Sequence, residues 1–568
     1  MKKVFLNCLA MLSLFSIFAQ SEANDINQSG KLNTINISQH GTPKTLKITQ
    51  FGNENSSEVI QGISEEPSLD GIITQVQTGN RNNAYVLQMG GYNKTNQIQT
   101  GNQNTVKATQ GFGSYYNHIE QTQNGVDNIA TATFQNFSVG GIIKQNQDGE
   151  ANSAEAISFG TSFISQTQDG VTNIATINSS GNLGDIRQNQ TGTGNIAGIM
   201  QNGNTNTVSQ IQNDVFNKAD IIQNGSNHKI FQKQKGWDNT AVVSQSELSN
   251  TINQHQDGGK NTINTLQTGS FNNVTTNQIS EYNSINLTQS GFTNNIDTQQ
   301  IGISNTSTII QSGDTNQISQ IQDGKENLLK IEQNSGSANT ISQIQTGDNN
   351  SATAKQNLGV FNVISQTQTG QKNTISTTQE GGEKNNATSV QIGEANYISQ
   401  TQNEGNNNSI HAIQEDSYGH KIDQIQSGEK NSSIAQQYSG MYNVVQQTQN
   451  GSKNTLKATQ YGGTNDVIKQ TQIGDNNSAE ALQEGRYSLL SANNTITQSQ
   501  EGNGNLIFNT QEGTGNNIES NQNGELNIIN SSQIGNSNSI INSQSGKGLS
   551  NTLLQSGENN SIIFNQNN

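Results

Sequence analysis

The stretch Asn339-Thr340-Ile341-Ser342-Gln343-Ile344-Gln345-Thr346-Gly347-Asp348-Asn349-Asn350-Ser351-Ala352-Thr353-Ala354-Lys355-Gln356 decides the fold. Asn339, Ile341, Gln343 and Gln345 occupy every second position, and Asn350, Ala352, Ala354 and Gln356 repeat the pattern after Gly347. A period of two places all of these on one face of a β-strand; the helical period of 3.6 is absent. A glycine two places after glutamine, followed by polar residues, supplies the positive φ and the turn chemistry that reverse the chain. The stretch therefore reads as strand, turn, strand.

The pattern recurs on both sides. It returns at Asn362, Gln366, Gln368, Asn373 and Gln379, and at Asn443, Gln447, Gln449, Asn454 and Gln460. Earlier in the chain, Gln28, Gln39, Gln50 and Gln61 fall at a constant step, as do Gln77, Gln88, Gln99 and Gln110. Every second unit carries the additional glutamine, so the true period is about 22 residues. The expectation is an all-β fold: a β-solenoid or cross-β stack of about 24 strand-turn-strand rungs, parallel and in register, in one continuous array over residues 24–568. Departures from register at Gly62–Ile72 (holding Pro67), Gly111–Gly113, Asn357–Gly359, Glu380–Gly382 and Gly485–Ser491 belong at rung corners, as does Pro43.

Composition agrees with a ladder and excludes an oily globule. Of 568 residues, 88 are Asn, 70 Gln and 57 Gly, while 12% are charged and 29% apolar. Ordinary domains have roughly 25% charged and 45 to 50% apolar residues. Asn and Gln each offer two donors and an acceptor, so like amides stacked about 4.8 Å apart can bond to the copies above and below. A slip of one residue would turn every inward side chain outward, which makes the register self-correcting. Asn339, Gln343, Gln345, Asn350 and Gln356, with their counterparts at 362–379 and 443–460, are the candidate functional residues: a structural amide ladder. The formal charge of -16 removes counterion release as a binding force, so nucleic acid is not expected as a primary partner.

Lys2 and Lys3, the apolar run Val4 to Phe18 and the small-x-small site Ser21-Glu22-Ala23 read as an export signal over 1–23, cleaved before Asn24. The single cysteine, Cys8, lies inside it, so the mature chain carries no thiol. No later run reaches 18 apolar residues, so no transmembrane segment is expected in the mature chain.

On these residues the chain resembles the curlin-repeat proteins, whose unit is Ser-x5-Gln-x-Gly-x-x-Asn-x-Ala-x3-Gln. Gln345-Thr346-Gly347-Asp348-Asn349-Asn350-Ser351-Ala352, continuing to Gln356, fits the second part of that unit throughout, as does the run from Gln472 to Gln483. The resemblance spans nearly the whole mature chain. It implies an extracellular functional amyloid of the curli type, used in adhesion and biofilm matrix. The partners it implies are the chain itself or related curli subunits, a surface nucleator and an outer-membrane secretion pore. Asn339, Asn362 and Asn443 stand where the family pattern has Ser, and Gln343, Gln366 and Gln447 where it usually has an aliphatic residue, which makes this core more polar.

Other chemistry finds little support. His40, His118, His228, His255, His411 and His420 lack metal-ligand spacing and read as solvated strand or turn positions. Asp314 and Asp348 stand near turns without a calcium-binding nonapeptide, and Gly192 and Gly194 lack a following G-K-[S/T]. No catalytic, cofactor-binding or metal residue is expected, and no enzyme. Tyr115, Tyr116, Trp237 and Tyr442 lie in or beside turns, where loop packing is the expected role and sugar or surface binding the alternative. Outward Thr340 and Ser342 support one rival reading, a monomeric cell-surface β-solenoid adhesin that binds glycan or ice.

Overall fold

In the computed structural model the alternation becomes two strands, Thr340–Asp348 and Ser351–Asn357, joined at the Asn349-Asn350 corner. The structure describes residues 23–42, 44–63, 68–485 and 493–568. Most of the export signal, Pro43, Pro67 and the insertion after Gly485 lie outside them. The described residues contain no helix, and the chain is a parallel β-solenoid of about 24 turns with a period of about 22 residues. It divides into two compact units, Met1–Gln278 and Ile279–Asn568.

In the second unit, Thr340–Asp348 pairs in parallel with Gln317–Lys325 before it and Val363–Gln371 after it, and Gln343 faces Gln320 and Gln366. Ser351–Asn357 pairs likewise with Leu328–Asn334 and Thr374–Glu380 in the opposite sheet, with Gln356 between Gln333 and Gln379. The first unit repeats the scheme from Thr45–Phe51 and Ser56–Gln61 onwards. Burial alternates residue by residue along the strands, as period two requires. The apolar part of the core is thin. Leu329, Ala352, Ile375, Ile398, Ile422 and Val445 form one buried column in the second unit, and most other inward positions are carboxamides.

Corner geometry explains the glycines and the tolerance of insertions. At Gly347 φ is +105°, and a Cβ there would sit 2.2 Å from the carbonyl oxygen of Gly370 in the next rung. At that φ a residue without a side chain lets successive rungs approach to ladder distance, whereas Asp214 takes the corresponding place between Gly192 and Gly236 at a φ of 74°. The residue before the ladder asparagine is also left-handed, as at Asn349 (φ 56°) and Lys372 (φ 57°). The departures at 111–113, 357–359 and 380–382 fall in corners between strands, or reach only the last residue of one.

Candidate functional site: amide columns in the core

All fifteen candidate residues are buried, each at most 1% exposed. The glutamines form side-chain columns in which successive amides donate forward. Gln322 donates to Gln345 at 3.1 Å, Gln345 to Gln368 at 2.7 Å and Gln368 to Gln391 at 2.9 Å. In the opposite sheet Gln333 donates to Gln356 at 2.8 Å, Gln356 to Gln379 at 2.7 Å and Gln379 to Gln402 at 2.6 Å. Gln449 continues that column to Gln472 at 3.0 Å, and Gln437 donates to Gln460 at 2.7 Å in the first. The spare amide proton often reaches a main-chain carbonyl across the core, as from Gln345 to Leu328 O at 3.1 Å. Donors and acceptors are thus both satisfied in a buried setting, where an orphan would cost about 1–3 kcal/mol.

The asparagines work differently. Asn350 Oδ1 accepts the main-chain N–H of Asn373 at 3.0 Å, and its Nδ2 donates to Gly370 O at 2.9 Å. Asn339 accepts from Asn362 N at 2.9 Å and donates to Gly359 O at 3.2 Å; Asn373 and Asn454 donate to Gly393 O and Gly474 O at 2.9 and 2.7 Å. Asn362 donates to Gly381 O at 3.2 Å and Asn443 to Gly462 O at 2.8 Å. Asn is one methylene shorter than Gln. Its amide therefore meets the main chain of the next corner, whereas that of Gln meets another amide. Stacking of like amides describes the glutamines; the asparagines chiefly tie corner to corner.

The additional glutamines form a third column, which changes sheets. Gln320, Gln343 and Gln366 follow one another at 3.0 and 2.6 Å on one sheet. Gln366 then donates across the core to Thr377 Oγ1 at 2.8 Å, and Ser389 Oγ donates to Gln400 at 2.7 Å. From Gln400 the column runs through Gln424, Gln447, Gln470 and Gln498 on the other sheet, at 2.6 to 2.9 Å. The signal lies in Thr374–Glu380 and Asn386–Glu394, two consecutive strands without the additional glutamine. In the first unit, the fully buried Phe134 interrupts a glutamine column. Gly141 makes room for it, since a Cβ there would lie 2.4 Å from the ring. Further along, the Gln201 amide has no side-chain hydrogen-bond partner among the described residues.

Among the described residues four titratable side chains occupy asparagine positions: Lys44, His228, His420 and Asp466. His228 and His420 are buried, in place of the solvated positions expected of them. Each stands one repeat from ladder asparagines, so alignment by period would have revealed both. His228 Nδ1 accepts the N–H of Asn250 at 3.2 Å and Nε2 lies 3.0 Å from Asn224 O, which places the proton on Nε2. Burial lowers its pKa, and it lowers that of His420 to about 4. Asp466 accepts the N–H of Asn494 at 2.7 Å, and burial pushes its carboxyl up to about 6. Between its ordinary value and about 6 the folded chain binds a proton that the unfolded chain releases. Stability from this site therefore grows as pH falls through 6 and is lost above it. Two pH units correspond to about 3 kcal/mol. Asp466→Asn is expected to strengthen neighbouring strands by about 3 kcal/mol at pH 7.5 and by much less at pH 4.5. Hydrogen exchange of Val444–Ser452 and Thr495–Asn503 at the two pH values checks this; an equal gain at both would refute it.

Outside the core, charges pair along the stack, as Lys144–Glu120 at 3.1 Å and Lys457–Glu480 at 2.7 Å. Such exposed pairs each contribute at most about 1 kcal/mol. Tyr92 and Tyr116 stack with centroids 5.0 Å apart at one set of corners. Among the described residues no three His, Cys, Asp or Glu side chains are placed to hold a metal ion. Compared with known proteins, the chain matches no family model and no curated sequence.

Proposed function

We propose that the chain is a secreted structural protein that self-assembles into extracellular curli-like fibres and serves in adhesion and biofilm matrix. One observation carries the reading. Along a column the glutamine amide accepts from the rung behind and donates to the rung ahead, as Gln345 does between Gln322 and Gln368 at 3.1 and 2.7 Å. A rung is thus both product and template, and a rung of another copy offers the same groups in the same places. No step of this work needs a catalytic residue; the function is mechanical. By resemblance, further copies or related subunits, a surface nucleator and an outer-membrane secretion pore are its partners.

The test is fibre growth by the purified mature chain, followed by thioflavin fluorescence and fibre diffraction. The wild type is expected to form fibres with the cross-β spacings. Replacing Gln343, Gln345, Gln366 and Gln368 together by Ala is expected to lengthen the lag severalfold. A wild-type chain that stays monomeric, or a variant with an unchanged lag, would overturn the reading. Affinity of that monomer for glycan or ice would point to the adhesin reading instead.

A further inference from the structure

One sheet face in the second unit runs for six consecutive strands without a charged side chain along its middle. On the six consecutive strands of that sheet from Gln317–Lys325 to Ser432–Tyr438, the first, third and fifth residues point outward. None of these positions holds Asp, Glu, Lys or Arg. The one titratable group there is His411, whose pKa burial lowers, so it is neutral at pH 7. The opposite sheet over the same turns carries Lys330, Glu332, Lys355, Lys421 and Asp423 on its outer side. In the first unit the same sheet positions hold Lys47, Lys94, Glu120, Lys144, Arg187 and Lys233.

The face also has relief. On the first three strands Ser319, Ser342 and Ser365 line up at neighbouring registers as a file of short side chains, which Thr388, His411 and Ile434 continue on the other three. Beside them Ile321, Ile344 and Thr367 form a file of taller ones in the same registers. A tall file beside a short one is self-complementary: turned about a two-fold axis, the ridge of one copy enters the furrow of another. With strands about 4.8 Å apart and about 3.3 Å per residue, the six-strand face measures about 30 by 16 Å, and the furrow and ridge occupy about half of it. Pairing two such faces covers on the order of 1,000 Å², the lower bound for a specific interface. The formal charge of -16 repels copies elsewhere, so a charge-free face is where approach costs least.

We propose that this face is a lateral docking surface for a second copy of the same chain, packing side by side through the serine furrow and the isoleucine ridge. This goes beyond growth along the stack and does not depend on it. The double variant Ser342→Lys, Ser365→Lys places charge in the furrow, and Thr353→Lys, Ser376→Lys places the same charge on the opposite sheet as a control. Mass per length by scanning transmission electron microscopy reads lateral pairing in fibres; sedimentation equilibrium reads it in protein that forms none. The wild type and the control are expected to pair, and the furrow variant to pair about 100-fold more weakly, because each lysine would fill the furrow against the partner's isoleucine ridge and lie beside the like charge of the partner's adjacent furrow. Mixing it with Ser342→Glu, Ser365→Glu protein is expected to restore pairing, which a misfolded variant could not do. Unpaired wild-type protein, equal pairing of the furrow variant and the control, or failure of the mixture to pair would each overturn the proposal. Laterally paired protein without fibres would support it while refuting growth along the stack.

Discussion

Replacing Gln345 by leucine is expected to loosen three successive rungs of the second unit by about 3–6 kcal/mol. The substitution keeps bulk and burial but removes both halves of the amide. Gln322 Nε2 loses an acceptor at 3.1 Å, Gln368 Oε1 loses a donor at 2.7 Å, and Leu328 O loses the N–H at 3.1 Å. Gln322 keeps its second bond, to Thr306 O at 3.0 Å, which sets the lower end of the range. In a stack whose stability is a sum of rung and interface contributions, the damage stays local. The measurement is therefore hydrogen exchange of Gln317–Lys325, Thr340–Asp348 and Val363–Gln371, not a single global midpoint. Outward Thr346→Ala on the same strand provides the comparison, at about 0.5 kcal/mol. If the two variants exchanged alike, the columns would not be what holds the core.

The second large effect concerns a corner. Gly347→Ala puts a methyl 2.2 Å from Gly370 O, a main-chain atom that cannot rotate away, on a backbone at φ +105°. The rungs must part, and two bonds that end on these glycines are stretched: Asn327 to Gly347 O at 2.6 Å and Asn350 to Gly370 O at 2.9 Å. Strain, overpacking and lost bonds together are expected to cost about 3–5 kcal/mol. Gly381→Ala is the control, because a Cβ there meets nothing within 4 Å and φ is +66°. Its cost is expected to be about 1 kcal/mol. Chemical denaturation of both variants separates the cases, and similar midpoints would contradict the close-approach account.

Much of this fold is legible in the amino-acid sequence. The alternation of Asn339, Ile341, Gln343 and Gln345 marks a face, Gly347 marks a corner, and recurrence marks the stack, because each depends only on backbone periodicity. What an inward side chain binds was less legible. Period two tells that Asn350 and Gln345 both point inward, yet a one-methylene difference decides whether an amide finds main chain or another amide. The change of sheet at Thr377 and Ser389 depends on counting consecutive strands rather than on any single motif. His420, expected in solvent, and Asp466 are both buried, because phase in the repeat and not residue type decides which way a side chain points. Phe134 and Gly141 are a compensating pair, and such pairs become visible only when two positions on different strands are brought together.

The uniform direction of the glutamine bonds has an electrical consequence. From Gln300 through Gln322, Gln345 and Gln368 to Gln391, each Nε2 points the same way along the stack. A carboxamide carries a dipole of about 3.5 D, and dipoles laid head to tail add, as they do along an α-helix. Backbone strands by contrast leave little net moment. Each unit is therefore polarised along its axis like cells wired in series, and its two axial directions are as distinguishable to an approaching charge as the poles of a magnet are to a compass.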